Sequence, residues 1–300
     1  TCALPISLIH EKHNVVVVDN LLLGSVDNIG HLIKNDMFIF YQEELLDYES
    51  INDIFCKEKF DIVFHLAANS DIAKSLDDPS VDFNNTFLTT YNLLNLMKKH
   101  DVKKIVFAST SAIYGDTNKK IVEDFGPLFP VSHYGAAKLS SEAFISSFCE
   151  NYGMQAWITR FPNVVGERAT HGVILDFIKK LRDNQTELVV LGNGEQYKPY
   201  LYVKDLVEAI IYVWKNSDEK INYFNIGVES RTKVKDIARM VIEEMGLESA
   251  IKYTGGSRGW VGDVPEFNYS LEKIHGLGWK AKNSSDDAVR LSIRKILGKE

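Results

Sequence analysis

Tyr134 and Lys138 stand four residues apart in the run Tyr134-Gly-Ala-Ala-Lys138. On a helix that spacing sets both side chains on one face, one turn apart. An ammonium beside a phenol favours the phenolate, so a Tyr with an ordinary pKa of about 10 can act as a base near neutral pH. Three hydroxyls, Ser109, Thr110 and Ser111, close the apolar run Ile105, Val106, Phe107 and Ala108. Catalytic side chains commonly sit at the C-terminal ends of such strands in parallel sheets. A hydroxyl donor, a Tyr and a Lys together can move a proton on and off an alcohol. The spacing by itself also fits a surface helix turn with a solvated Lys, so the neighbouring residues carry the argument.

The elements that must position these groups alternate. Residues 15–19, 61–66, 105–109 and 156–161 read as short strands rich in β-branched and aromatic residues. Residues 48–59, 83–99 and 134–150 read as helices between them. Alternation of this kind predicts an α/β fold with a doubly wound parallel sheet and right-handed crossovers. After Gly166 the pattern changes: helices at 173–182, 205–214 and 233–245, a strand at 188–191, and a loop-rich stretch around Gly255, Gly256, Gly259 and Gly262. The expected division is a Rossmann-like nucleotide-binding domain over residues 1–165 and a smaller substrate-binding region over 166–300. No linker separates them, and about 199–227 is expected to cross back.

The chain has 300 residues and a net charge of −7, which speaks against a nucleic-acid surface. It has no apolar run of membrane-spanning length and no signal peptide at its start. Cys2, Cys56 and Cys149 show no metal or redox spacing, so reduced thiols in a cytoplasm are expected and no metal site. Trp157, Trp214 and Trp279 read as packing residues, and His65 as a packed strand-end residue.

Asp19 ends a run of four valines and is followed by Asn20. A carboxylate at such a strand end accepts hydrogen bonds from the adenosine ribose and repels a 2′-phosphate, which favours NAD over NADP. The same Asp-Asn pair also suits a plain turn. A glycine-rich phosphate loop is expected about 20 residues upstream of that carboxylate, yet no Gly precedes Asp19. Residues 7–13 read as the tail of a helix. The expectation is therefore a chain lacking its first strand and loop, with residues 1–6 not native.

In order along the chain, these residues resemble the extended short-chain dehydrogenases/reductases, in the nucleotide-sugar epimerase/dehydratase group. Phe64-His-Leu-Ala-Ala68 resembles the strand-end segment beside the cofactor, which assigns Leu66, Ala67 and Ala68 to NAD. Asn85 resembles the helix Asn that holds strand geometry near the active site. Ser109, Thr110, Tyr134 and Lys138 resemble the catalytic and nicotinamide-side set. Asn163, in Arg160-Phe-Pro-Asn-Val-Val-Gly166, resembles the residue that contacts the sugar diphosphate. The segments 200–205 and 225–227 resemble later landmarks.

Two departures refine the resemblance. Family dehydratases follow the catalytic Thr with Asp-Glu, the acid and base of dehydration; here Thr110 is followed by Ser111-Ala112. The phosphate clamp is open between Lys198, a point charge, and Arg258, a planar fork, with Ser111 beside the substrate. The resemblance implies a UDP-sugar or related nucleotide-sugar substrate, bound NAD, and a homodimer through residues 83–99 and 134–150. It implies that Tyr134 takes the 4-hydroxyl proton, that Thr110 bonds the 4-oxygen, and that Lys138 lowers the Tyr pKa and holds the nicotinamide ribose. A 4-epimerase of UDP-glucose and UDP-galactose heads the readings. Another nucleotide-sugar reductase or dehydratase, and a non-catalytic NAD-binding sensor or scaffold, stay open.

Overall fold

The computed structural model describes residues 3–69, 74–117, 119–256 and 269–299. The chain divides into two compact units. One holds residues 1–113, 132–160 and 210–224; the other holds 114–131, 161–209 and 225–300. The division is interleaved, because the chain leaves the first unit at residue 114 and returns to it twice.

In the first unit the β-branched run Val15–Val18 forms a strand that pairs in parallel with Phe38–Tyr41. Val63–His65 pairs in parallel with Lys104–Thr110, in a four-stranded sheet that continues through Gln155–Phe161 to Ile221–Asn225. Among the described residues no ladder joins the Val15–Val18 pair to this larger sheet. The core between sheet and helices is built from Leu94, Met97, Ile105, Phe107, Ile145 and Ala156. Val16, Val18 and Tyr41 pack against the same core. Full burial of such side chains contributes roughly 1.5–3 kcal/mol each.

The first helix, Ala3–His10, buries Leu4, Leu8 and Ile9. Residues 3–6 are its opening turn. The helix expected over 83–99 is also finer than its periodicity suggests. A short turn, Ser80–Asp82, leads into a π-helical stretch, Phe83–Leu88, before regular helix resumes at Thr89–Lys99.

The helix carrying Tyr134 and Lys138 runs His133–Tyr152. Ser132 caps it, accepting the Gly135 backbone N–H at 3.1 Å, a bond worth about 1 kcal/mol. Gly153, in the left-handed region at φ 64°, ends it.

In the second unit the parallel pair Glu187–Val190 and Ala250–Tyr253 lies with helices Val173–Asp183, Val234–Met245 and Ser285–Ile296. Ile178, Leu181, Leu188, Val241 and Ile293 are buried in its core. A second parallel pair joins Asn163–Val165 to Tyr200–Tyr202. Gly166 follows it closely: a Cβ there would lie 2.4 Å from Val203 Cγ1, so only glycine lets the two segments approach. No helix among the described residues is long and apolar enough to cross a membrane.

Candidate active site

The Lys104–Thr110 strand delivers Thr110 at its C-terminal end, and the first turn of His133–Tyr152 delivers Tyr134. Thr110 lies near enough to the Tyr134 hydroxyl to favour its phenolate. Lys138 follows one turn later and is 2% exposed. Its Nζ donates to the Ala108 carbonyl at 2.6 Å and lies 4.6 Å from the Phe107 ring centre. The three residues singled out by spacing therefore meet at one strand end.

Their electrostatics differ from the expectation. Tyr134 is pushed up to about 12, first by burial and also by the Asp82 charge, against the lowering effect of Thr110. Burial draws Lys138 down to about 7, while the Glu142 and Asp82 carboxylates hold it up. Lys138 Nζ lies 6.0 Å from the Tyr134 ring centre and is committed to a backbone carbonyl. Burial, not the ammonium, sets the direction of the Tyr134 shift in this state.

Ser109, placed by the resemblance beside the cofactor, is fully buried and donates to Glu142 Oε1. Glu142 takes a forked bond from Arg160, at 3.1 Å from Nε and 2.7 Å from Nη2. Ser109 thus serves a buried ion pair between helix and strand. Ser111 is buried at the start of the next short turn, Ser111–Tyr114.

The segment after Val63–His65 is held from the π-helical stretch. Thr86 Oγ1 accepts the Asn69 backbone N–H at 3.1 Å, and Asp82 Oδ1 accepts from Asn69 Nδ2 at 2.9 Å. Asn85, which the resemblance assigns to strand geometry near the active site, sits half-buried one residue before Thr86. Leu66 and Ala68 are half-buried and Ala67 exposed along this segment.

Asp82, Thr86 and Asn69 escaped the sequence reading. The available signal was a stripe of short polar residues at 82, 86, 89 and 90, a helical period on a face that the structure buries.

His65 is buried, and its Nε2 lies 2.9 Å from Thr90 Oγ1. The Thr90 hydroxyl donates to the Thr86 carbonyl at 2.7 Å, which assigns the His65 proton to Nε2. Burial first, then the Lys138 charge, lowers His65 to about 3. A neutral, packed imidazole follows.

Asp19 lies exposed just past the Val15–Val18 strand. Its Oδ1 accepts the Leu21 N–H at 2.7 Å, and Asn20 Nδ2 donates to Glu44 at 2.7 Å. The turn expected of an Asp-Asn pair is therefore present, with the carboxylate still at the surface. In the second unit, Asn163 is exposed on its short strand and Lys198 is half-buried in the strand Tyr197–Lys198. Arg258 lies outside the described residues.

A parallel α/β unit with a hydroxyl, a Tyr and a Lys at one strand end defines a protein that handles a nicotinamide nucleotide and an alcohol. The family model for the NAD-dependent epimerase/dehydratase family matches residues 2–227, and the chain belongs to that family. Its cofactor is NAD.

A Methanocaldococcus jannaschii protein provisionally named UDP-glucose 4-epimerase is 31% identical over 290 residues, 94% of this chain and 90% of that one. The crystal structure of a UDP-galactose 4-epimerase matches with a TM-score of 0.87 at 35% identity, over 98% of this chain and 94% of that one. The Thermus thermophilus UDP-glucose 4-epimerase, solved with NAD, matches with a TM-score of 0.86 at 27% identity, over 99% of this chain and 95% of that one.

The residues present fit NAD at two places. Asp19 offers a surface carboxylate at a strand end, and Tyr134 with the buried Lys138 offers a phenol and an ammonium one helical turn apart. This fit rests on those groups and not on a glycine-rich turn, since the first glycine is Gly24.

Proposed function

We propose that this protein is a nucleotide-sugar 4-epimerase acting on UDP-glucose and UDP-galactose. The single observation behind the reading is the meeting of Thr110, at the end of the Lys104–Thr110 strand, with Tyr134 and Lys138 one turn apart on the helix whose Lys138 Nζ bonds the Ala108 carbonyl of that strand. When bound, NAD supplies a hydride acceptor that returns the hydride, and its oxidised form carries a positive charge.

The chain's residues do the rest. Tyr134 takes the proton of the sugar 4-hydroxyl and gives it back. Thr110 donates to the 4-oxygen as it becomes a carbonyl and steadies the phenol oxygen. Lys138 binds the nicotinamide-side ribose with its ammonium. In the free protein Tyr134 is held as a phenol, because the pocket is desolvated and Asp82 adds negative charge. A cation brought into such a pocket is felt strongly and favours the phenolate. This makes ligand binding the event that arms the base.

Dehydration is the weaker reading. Ser111-Ala112 follows Thr110 where a dehydratase needs an acid and a base. In the second unit, Asn163 and either Lys198 or Arg258 are the diphosphate contacts this reading calls for. Affinity should then come mainly from the nucleoside diphosphate, leaving the sugar free to present either face.

The test is a panel of UDP-, dTDP- and GDP-sugars, with products separated chromatographically. Interconversion of UDP-glucose and UDP-galactose is expected. A 4-keto-6-deoxy product, or no turnover of any UDP-hexose, would overturn the reading.

A further inference from the structure

We propose that Asp82 is a positioning residue whose buried carboxylate is a counter-charge that, with Glu142, favours the ammonium form of Lys138. The inference rests on the reading of Tyr134 and Lys138 as the proton-handling pair.

Asp82 is 0% exposed and belongs to the short turn that leads into the π-helical stretch. That turn packs against the helix carrying Tyr134 and Lys138. Asp82 Oδ1 is satisfied by Asn69 Nδ2 at 2.9 Å, whereas Oδ2 is buried with no hydrogen-bond partner. A buried carboxylate with an unmet oxygen is costly unless a cation answers it.

The charged and titratable groups facing Lys138 narrow the choice of partner. On its own helix stand Tyr134 and Glu142. Glu142 is already answered by the fork from Arg160, on the Gln155–Phe161 strand, and by Ser109. The Val63–His65 strand brings His65, which is neutral. The Lys104–Thr110 strand brings the Ala108 carbonyl and the Phe107 ring, neither of them charged. Asp77, on the turn before Ser80–Asp82, is exposed. Among these described groups, Asp82 is the buried carboxylate without an arginine.

Its field acts on both members of the pair, raising Lys138 after Glu142 and raising Tyr134. Burial draws Lys138 down, and the Glu142 and Asp82 charges oppose this. The same charge keeps Tyr134 protonated until a ligand enters. Asn69, bonded to both Asp82 and Thr86, ties this counter-charge to the segment after the Val63–His65 strand.

The test is the titration of Lys138 in the protein without substrate, read from the 13Cε shift in lysine-labelled protein and assigned with Lys138→Arg. Asp82→Asn keeps the shape and an acceptor for Asn69 but removes the charge. It should move the Lys138 midpoint down by about one pH unit or more, the size expected of a nearby charge. Asp82→Glu should hold the midpoint near the wild-type value. Both limbs of the pH–rate profile of Asp82→Asn should also move to lower pH, which a merely structural defect would not produce.

An unchanged Lys138 midpoint in Asp82→Asn would overturn the inference. If that variant is too unstable to titrate, a cycle with Lys138→Met decides it. Asp82→Asn should cost less stability in the Lys138→Met background than in the wild type, and equal costs would overturn the proposal. A failure of every sugar to turn over would defeat the functional reading while leaving the substrate-free titration to judge this one.

Discussion

At the residue scale, the proposed acid/base hydroxyl of Tyr134 makes the first prediction. Tyr134→Phe should leave NAD binding nearly intact and cut turnover by about 10²–10⁴, the usual worth of a positioned acid/base; steady-state rates beside NAD titrations check both halves. Asp19→Ala should narrow the preference for NAD over NADP, because it removes an acceptor for the ribose 2′-hydroxyl and a charge that repels a 2′-phosphate. Comparative binding titrations would show it, and equal affinities in the wild type would remove Asp19 from that role. His65 makes a pH prediction. Its folded pKa is about 3 against an ordinary 6.5, so the unfolded chain binds a proton that the folded chain refuses. The stability tied to it is fully present above pH 6.5 and is lost as pH falls toward 3. Urea unfolding across that window should give a shallower slope for His65→Gln than for the wild type.

At the scale of elements, the active-site strand and helix are joined by polar bonds as well as by packing. The Arg160–Glu142 fork, with Ser109 as a third member, links the helix to two neighbouring strands. Both charged side chains are almost fully buried, at 9% and 6% exposed. Removing one partner strands the other, so Arg160→Met should cost about 3–5 kcal/mol. The double variant Arg160→Met, Glu142→Leu should regain much of that loss. Denaturant unfolding measures the difference, and an equal loss in both variants would show that packing, not charge, governs the site. The π-helical Phe83–Leu88 has a comparable local purpose. Its wider winding places Thr86 where its hydroxyl meets the Asn69 backbone, and such stretches recur at functional sites.

At the scale of the molecule, the chain builds two units by crossing between them, so a cut at residue 165 would sever the returning segment 210–224 from its unit. The first unit also exposes aromatic surface on its long helices. Phe83 and Phe144 are 54% and 39% exposed. Phe87 and Tyr91 meet Phe144 edge-on, with ring centres 5.3 and 5.5 Å away. We propose a second copy of the chain as the partner of this face, in line with the family resemblance. Phe144→Glu should then convert dimer to monomer in sedimentation velocity, and a wild-type monomer at micromolar concentration would end the proposal.

The residues that define the site class were legible in the sequence because they obey short-range rules. A four-residue spacing puts Tyr134 and Lys138 on one helix face whatever the helix packs against. An apolar run ending in hydroxyls places Thr110 at a strand end, and a valine run followed by Asp places Asp19 at another. The alternation of periods likewise announced an α/β fold. The rest depended on long-range contacts. Whether Ser109 faced the pocket or Glu142 was set by Arg160, 51 positions later in the chain. That Thr86 holds Asn69 depended on the π-helical winding, which shifts the register of every side chain after it. The sign of the Tyr134 shift required the depth of the pocket and the Asp82 charge across it. Spacing specifies which groups can meet. Burial, which arises only when distant segments close over one another, decides their protonation.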